Sequence, residues 1–176
     1  MKTILVTGGA GYIGSHAVRR LLEKGYNVVI LDNLSRGNDK SVPKDTPFYS
    51  FDISDKKQLT ELLTKHKIDA VMHFAAFAYV GESVDEPSMY YENNMMQSKI
   101  FFDTLVQNNV KKLIFSSTCA TYGTPETVPI TEQEKQKPIN PYGWTKLMIE
   151  QVLKDYDTAY DFKHIALRYF NAAGAA

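Results

Sequence analysis

Short apolar runs alternate with amphipathic segments along the chain. The apolar runs predict short buried strands at residues 4–6, 28–31, 48–51, 70–74, 112–116 and 165–169. Between them, apolar residues recur at helical spacing, which predicts helices at residues 12–24, 56–66, 87–108 and 141–160. The last of these helices has clear start signals, because Asn140 is a good N-cap and Pro141 fits the first turn.

This alternation predicts the fold class. Strands separated by helices pair in parallel through right-handed crossovers. Because the strands are apolar almost throughout, we expect the sheet to be covered on both faces. We predict an α/β fold, namely a Rossmann-type doubly wound parallel sheet with helices on both faces, in three α/β/α layers. The 176 residues are enough for one such domain, spanning residues 1–176.

Composition and charge narrow the range of partners. Lys plus Arg and Asp plus Glu number 20 each, so charge gives no case for binding nucleic acid or an anionic membrane. Cys119 is the single cysteine and fits a reducing cytosol. The longest apolar run, residues 74–80, is too short to cross a bilayer, and the N-terminus does not resemble a signal peptide. We expect a cytoplasmic protein, and the histidine spacing predicts no metal site.

A glycine-rich turn joins the first predicted strand to the first predicted helix. Gly8, Gly11 and Gly14 follow the spacing G-x-x-G-x-x-G, which lets the backbone approach a pyrophosphate at a helix N-terminus. Asp32 ends the second strand, where an acid accepts hydrogen bonds from the adenosine ribose and repels a 2′-phosphate. This arrangement predicts a dinucleotide site that favours NAD over NADP. Arg36 follows closely and is expected to weaken that preference.

A second pattern predicts chemistry beside this site. Tyr142 and Lys146 lie one turn apart on a predicted helix, so their side chains share a face. A lysine ammonium beside a phenol favours the phenolate and lowers the tyrosine pKa from its usual value of about 10. Tyr142 is therefore predicted to act as a base near neutral pH. The pattern gains weight because it follows a strand that ends in Ser116-Ser117-Thr118.

The motifs together resemble the extended short-chain dehydrogenase/reductase superfamily over the whole chain. Besides the glycine turn and the Tyr/Lys pair, the matching segments are Asp32-Asn33-Leu34-Ser35, Asp52-Ile53, Phe74-Ala75-Ala76, Asn93-Asn94 and Ser116-Ser117-Thr118. Within the superfamily, the chain resembles the UDP-sugar 4-epimerases through residues 73–76, 80–83, 90–91 and 169–174. That family contains the enzymes that interconvert UDP-glucose and UDP-galactose.

The resemblance implies a reaction and a set of site residues. Tyr142 would remove the proton from the sugar 4-hydroxyl while bound NAD oxidises C4, and Thr118 would share a hydrogen bond with that hydroxyl. Lys146 would also hold the nicotinamide ribose, and Asn171 would contact the UDP-sugar near its phosphates. The motifs and the resemblance together assign cofactor binding to Gly8, Gly11, Tyr12, Ile13, Gly14, Asp32, Asn33, Ser35, Asp52, Ile53, Phe74, Ala75, Ala76, Asn94, Ser116, Tyr142, Lys146 and Tyr169.

The resemblance also implies features outside the site. The family has a sugar-binding region formed mainly by its C-terminal part, so we expect this chain to be a truncated NAD-binding half with weak activity alone. The helix at residues 87–108 is expected to contribute to a homodimer.

Three alternatives remain open. Ala78 stands where many UDP-galactose-type epimerases carry lysine, and residues 118–123 resemble pentose-type enzymes acting on UDP-arabinose and UDP-xylose. A nucleotide-sugar 4,6-dehydratase shares the fold and the Tyr/Lys pair, but it needs an acid/base pair where this chain has Cys119-Ala120. A non-catalytic NAD-binding fragment is the third alternative, because the chain is short.

Overall fold

A six-stranded parallel sheet forms the centre of the molecule. The structure, a computed structural model, describes residues 1–174. Its strands are β1 (Thr3–Thr7), β2 (Asn27–Leu31), β3 (Phe48–Tyr49), β4 (Ala70–His73), β5 (Lys112–Thr118) and β6 (Lys163–Tyr169). They lie in the order β3-β2-β1-β4-β5-β6, all in parallel. This is the Rossmann order, with its switch point between β1 and β4, so the predicted fold class is confirmed.

Helices connect the strands. They are α1 (Tyr12–Glu23), α2 (Lys56–His66), α3 (Val80–Asp85), α4 (Pro87–Tyr90), a π-helical turn (Tyr91–Met96), α5 (Gln97–Gln107) and α6 (Pro141–Tyr160). The cap predicted for α6 is confirmed, because Oδ1 of Asn140 accepts a hydrogen bond from the Gly143 amide at 2.8 Å. No helix within residues 1–174 is long and apolar enough to span a membrane.

Most predicted boundaries differ from the structure by one or two residues, and three elements show where prediction and structure diverge. The single helix predicted at 87–108 is divided into α4, the π-helical turn and α5, and the separate helix α3 was not predicted. Strand β3 stops at Tyr49, short of the predicted residue 51. Strand β5 runs past the predicted residue 116, because its last polar residues still pair with β6 up to Thr118 opposite Tyr169.

The side chains of β1 show how the two faces of the sheet are covered. Ile4 and Val6 point to one face and join the cluster that contains Val18 of α1. Leu5 points to the other face and belongs to the larger cluster, which contains Leu59 of α2, together with Phe101 of α5 and Leu153 of α6. Because successive strand residues face opposite sides, one strand serves both hydrophobic cores. Helices therefore lie on both faces, as the apolar strands predicted.

Candidate dinucleotide and catalytic site

The glycine turn brings the backbone of β1 against the end of β4. A Cβ on Gly8, which has φ +70°, would lie 2.6 Å from the Ala75 amide nitrogen. A Cβ on Gly14 would lie 2.1 Å from the Gly8 carbonyl oxygen, so the turn has no room for a side chain there. Gly11 is the N-cap of α1 and offers no side chain to cap the helix. The first amides of α1 are therefore left without a side-chain acceptor, which suits an anionic ligand.

Asp32 connects the end of β2 to this turn. Its Oδ2 accepts a hydrogen bond from the Ala10 amide at 3.0 Å, and its Oδ1 accepts one from the Leu34 amide at 2.9 Å. A carboxylate has about four acceptor positions, so two remain for a ligand hydroxyl. Arg36 forms no ion pair with Asp32 and is paired with Glu82 instead, at 2.7 Å. The expectation that Arg36 would weaken the preference for NAD therefore lacks structural support.

Two cavities run along the carboxyl ends of the strands. The first cavity is lined by the predicted residues Asp32, Asn33, Ser35, Asp52, Ile53 and Ala75. The second cavity is lined by Tyr12, Ile13, Gly14, Ser116, Thr118, Tyr142, Lys146, Tyr169 and Asn171. The residues lining both cavities are Gly8, Gly11, Arg36, Phe74 and Ala76. A dinucleotide lying along this edge would have one nucleoside in each cavity and its diphosphate at the glycine turn.

Asn94 is the predicted site residue that the structure places outside both cavities. It is fully buried in the π-helical turn. Its Oδ1 accepts from the Phe77 amide at 2.8 Å, and its Nδ2 donates to the Phe77 carbonyl at 2.9 Å. The side chain thus fixes the loop between β4 and α3. The neighbouring Asn93 lines the first cavity instead.

Lys146 and Tyr142 share a face of α6, but their electrostatics differ from the prediction. The Lys146 Nζ donates to the Ser116 carbonyl at 2.9 Å and lies 5.9 Å from the centre of the Tyr142 ring. Burial lowers the pKa of Lys146 to about 7. Burial raises the pKa of Tyr142, and a smaller opposing effect comes from the Thr118 hydroxyl. In this structure burial raises the pKa of Tyr142, opposite to the predicted lowering, and the Lys146 ammonium is directed at the Ser116 carbonyl.

An ion pair with a buried carboxylate lies behind β5, and the sequence did not indicate it. Arg168 of β6 donates from Nη2 to Oε2 of Glu150 on α6 at 2.8 Å, and from Nη1 to the Tyr122 hydroxyl at 2.7 Å. Glu150 also accepts hydrogen bonds from Ser117 and from Gln136. The pair therefore links β6, α6 and the end of β5 next to Thr118.

Several residues that line the cavities were not among the predicted site residues. They are Arg36, Gly37, Phe51, Phe77, Asn93 and Gln97 in the first cavity, and Ala78, Tyr79, Val80, Ser117, Cys119, Ala120, Phe170 and Ala172 in the second. Most of them lie in the segments that follow the carboxyl ends of the strands. Because ligands of open α/β sheets bind at that edge, the residues just after each predicted strand carried a usable signal.

The fold and the site define a class. A Rossmann sheet with a glycine turn at its switch point and a Tyr/Lys pair on the helix after β5 is the arrangement of the short-chain dehydrogenase/reductase type. The chain belongs to the NAD dependent epimerase/dehydratase family, whose sequence model matches residues 4–176. The resemblance seen in the motifs is thereby confirmed.

Individual relatives agree with this assignment. Over 172 residues, which are 98% of this chain and 51% of the relative, the chain is 51% identical to a UDP-glucose 4-epimerase of Halalkalibacterium halodurans. In an alignment of 181 positions that covers 98% of this chain and 43% of the relative, it is 48% identical to UDP-arabinose 4-epimerase 1 of Arabidopsis thaliana.

A solved structure is also similar. The crystal structure of UDP-glucose 4-epimerase from Brucella ovis in complex with NAD superimposes with a TM-score of 0.97 at 48% identity, covering 100% of this chain and 54% of the other. The chain spans about half the length of the curated UDP-glucose 4-epimerases that it matches.

Proposed function

We propose that the protein binds NAD and acts as a UDP-sugar 4-epimerase that interconverts UDP-glucose and UDP-galactose. The observation that carries this proposal is the second cavity, which brings Thr118, Tyr142 and Lys146 to the same edge of the sheet as the glycine turn. The similarity to the UDP-glucose 4-epimerase of Halalkalibacterium halodurans supports the substrate.

The residues present fit NAD as the cofactor. Gly14 has no room for a Cβ and the N-cap of α1 lacks a side chain, so backbone amides are available to a diphosphate. Asp32 retains acceptor positions for ribose hydroxyls in the first cavity. Lys146 and Tyr169 would hold the other nucleoside in the second cavity. When bound, NAD would supply the acceptor for the hydride from the sugar C4 and the donor for its return.

Tyr142 is the proposed proton carrier. Its phenolate oxygen takes the proton of the sugar 4-hydroxyl during oxidation and gives it back during reduction. Thr118 contributes a hydroxyl to the same hydrogen bond. Because burial raises the pKa of Tyr142, the phenolate needs a nearby cation, and Lys146 on the same helix face is placed to provide it. That role requires the side-chain amine of Lys146 to be protonated and its Nζ to turn from the Ser116 carbonyl towards Tyr142.

A UDP-pentose 4-epimerase is the second candidate. Ala78 lines the second cavity at the position where many UDP-galactose-type enzymes carry lysine, and the Arabidopsis relative is named for UDP-arabinose. A 4,6-dehydratase is less favoured, because Cys119 and Ala120 line the cavity after Thr118 and offer no carboxyl group. A non-catalytic NAD-binding module is the remaining alternative.

The domain organisation is part of the proposal. Residues 1–176 are proposed to be the NAD-binding domain of an enzyme whose sugar-binding region comes from further chain. The relatives support this, because the part they share with this chain is about half of their length. We therefore expect weak turnover from these residues alone. A cytoplasmic location stays a prediction from the sequence.

A homodimer is proposed through the helices that include residues 87–108. The π-helical turn packs against α6, and apolar side chains of both remain accessible. The exposed fractions are 49% for Met96, 40% for Trp144 and 38% for Met148. Sedimentation analysis tests this proposal: a dimer that becomes monomeric on Met148→Glu supports it, and a monomer at micromolar concentration contradicts it.

The experiment that tests the activity uses UDP-glucose, UDP-galactose and UDP-arabinose as substrates with NAD. Epimerisation of the hexoses that is lost in Tyr142→Phe supports the main proposal, and turnover of UDP-arabinose alone supports the second candidate. Tyr160→Phe, on the exposed end of the same helix, is the matched control and should behave as the parent. NAD binding without turnover in the full enzyme would support a binding module instead.

A further inference from the structure

An ion pair connects the loop after β2 with α3 beside the cleft that the two cavities form. Arg36 lies in the loop after β2, and its Nη2 donates to both carboxylate oxygens of Glu82 on α3, at 2.7 and 2.8 Å. The guanidinium carbon lies 4.3 Å from the centre of the Phe77 ring and 4.9 Å from that of Tyr79. The loop after β2 and the segment after β4 stand on opposite sides of β1 in the sheet order. The pair therefore links the two sides of the switch point.

Glu82 is itself held in place. The Tyr90 hydroxyl donates to Glu82 Oε2 at 2.6 Å and accepts from the Tyr79 amide at 3.0 Å. Tyr90 is fully buried, so this anchor is fixed by the core. Arg36 thus has one rigid acceptor and two aromatic rings that orient its guanidinium.

The position of Arg36 matches the path of a diphosphate. It lines both cavities, together with Gly8, Gly11 and two residues of the β4 end. Among residues 1–174 that line both cavities, Arg36 is the one with a positive charge. A dinucleotide with one nucleoside in each cavity carries its two phosphate charges through this junction.

The guanidinium also has donors left over. It has five N–H donors, and Glu82 engages only Nη2. Within the described chain, Nε and Nη1 of Arg36 have no hydrogen-bond partner. These donors suit phosphate oxygens, because charge-assisted bonds of a guanidinium to phosphate are strong and directional.

We propose that Arg36 binds the diphosphate of the cofactor and that the Arg36–Glu82 pair is a strap that closes the cleft over it. This inference rests on the proposed NAD binding and adds a cofactor-binding residue that the motifs had associated with a 2′-phosphate. Opening the cleft requires the ion pair to break, so the strap slows dissociation of the dinucleotide.

The test compares ligands with and without a diphosphate on the full chain. Dissociation constants for NAD, NADP, ADP-ribose and adenosine are measured by calorimetry, and NAD dissociation is followed by stopped flow. We expect Arg36→Gln to weaken NAD and ADP-ribose by about tenfold or more, as for loss of a charged hydrogen bond, and to leave adenosine unchanged. Glu82→Gln should accelerate NAD dissociation several-fold. Arg36→Lys should recover part of the NAD affinity, because it keeps the charge.

The control variant is Arg20→Gln, which breaks the exposed pair of Arg20 with Glu23 on α1 and should change none of these values. Equal weakening of NAD and adenosine by Arg36→Gln would overturn the inference in favour of simple loop support. Weakening of NADP but not of NAD would overturn it in favour of a 2′-phosphate contact. If the unmodified chain bound no NAD, both the proposed function and this inference would be contradicted. Unchanged NAD binding in Arg36→Gln would contradict the inference about Arg36 alone.

Discussion

Lys146 of α6 donates a hydrogen bond from its ammonium to the backbone carbonyl of Ser116, near the end of β5. This bond joins the helix that carries Tyr142 to the strand that carries Thr118. Lys146 is only 3% exposed, and no carboxylate forms an ion pair with it in the described chain. Burial without a countercharge favours the neutral amine and lowers the pKa of Lys146 to about 7. The site therefore contains a buried base that titrates near neutral pH.

The first prediction concerns stability against pH. Because the pKa of Lys146 falls from 10.5 when unfolded to about 7 when folded, the unfolded chain binds more protons between these values. The free energy of unfolding of the NAD-free protein should therefore rise with pH above about 7, by at most about 1.4 kcal/mol per pH unit. Lys146→Met should remove this rise. Urea unfolding at several pH values measures it.

The matched control for this prediction is Lys154→Met, an exposed lysine on the same helix. In Lys154→Met the free energy of unfolding should rise with pH as steeply as in the parent protein. A slope that persists in Lys146→Met would show that another group titrates in this range and would contradict the assignment to Lys146.

The second prediction concerns the glycine turn. Gly14→Ala should abolish NAD binding and destabilise the protein, because the new Cβ would meet the Gly8 carbonyl oxygen at 2.1 Å. Gly81→Ala is the control: it lies on α3 and nothing lies within 4 Å of its added Cβ. Thermal melts and NAD titration of both variants check this. Normal NAD affinity in Gly14→Ala would contradict the tight turn.

The third prediction separates two neighbouring asparagines. Asn94→Ala should lower the free energy of unfolding by about 2–4 kcal/mol, because it leaves both backbone groups of Phe77 without their partner. Asn93→Ala should cost less, because its amide donates only to Asn94, but it should weaken binding in the first cavity. Chemical unfolding and NAD titration distinguish the two. Equal stability losses would contradict this division of roles.

The fourth prediction concerns the ion pair of the buried Glu150 with Arg168. Glu150 is 2% exposed, so Glu150→Gln leaves the guanidinium of Arg168 without its countercharge and should cost about 3–5 kcal/mol. Burial alone would raise the pKa of Glu150, but hydrogen bonds from Arg168, Ser117 and Gln136 lower it overall. Because the pKa of Glu150 is lower in the folded protein than in the unfolded chain, its carboxylate stabilises the fold at pH values above the ordinary glutamate pKa. This stabilisation is lost as the pH falls through the pKa of Glu150 in the folded protein.

Unfolding of Glu150→Gln and of the parent, measured from neutral to acid pH, checks both parts. Glu61→Gln, which changes an exposed residue of α2, is the control and should have little effect. The difference in the free energy of unfolding between Glu150→Gln and the parent should become smaller at acid pH. A constant difference would mean that the carboxylate charge of Glu150 is not what stabilises the pair.

The sequence predicted the features that depend on local patterns. The strand and helix alternation, the N-cap Asn140 and the glycine turn with Asp32 all follow from residues close together in the chain. The motifs also brought most cavity-lining residues to the correct edge, because parallel strands end at one edge. Element boundaries were less accurate where tertiary pairing decides them, as in β5, which continues to Thr118 because β6 lies beside it.

The errors arose where distant residues meet. Arg36 was interpreted from its distance to Asp32 in the sequence, but its partner Glu82 comes from a helix that the pattern did not predict. The pKa of Tyr142 was inferred from its spacing to Lys146, whereas burial raises the pKa of Tyr142 and lowers that of Lys146. Burial and orientation of this kind are set by packing, which spacing alone does not reveal.

The two backbone hydrogen bonds of Asp32 have a consequence for changing cofactor preference. A designer who wants NADP would replace this acid to admit a 2′-phosphate, but the same carboxylate fixes the Ala10 and Leu34 amides. Removing it therefore loosens the turn that both cofactors need. A specificity switch at this position requires a compensating acceptor for those amides, so nucleotide choice and turn stability must be redesigned together.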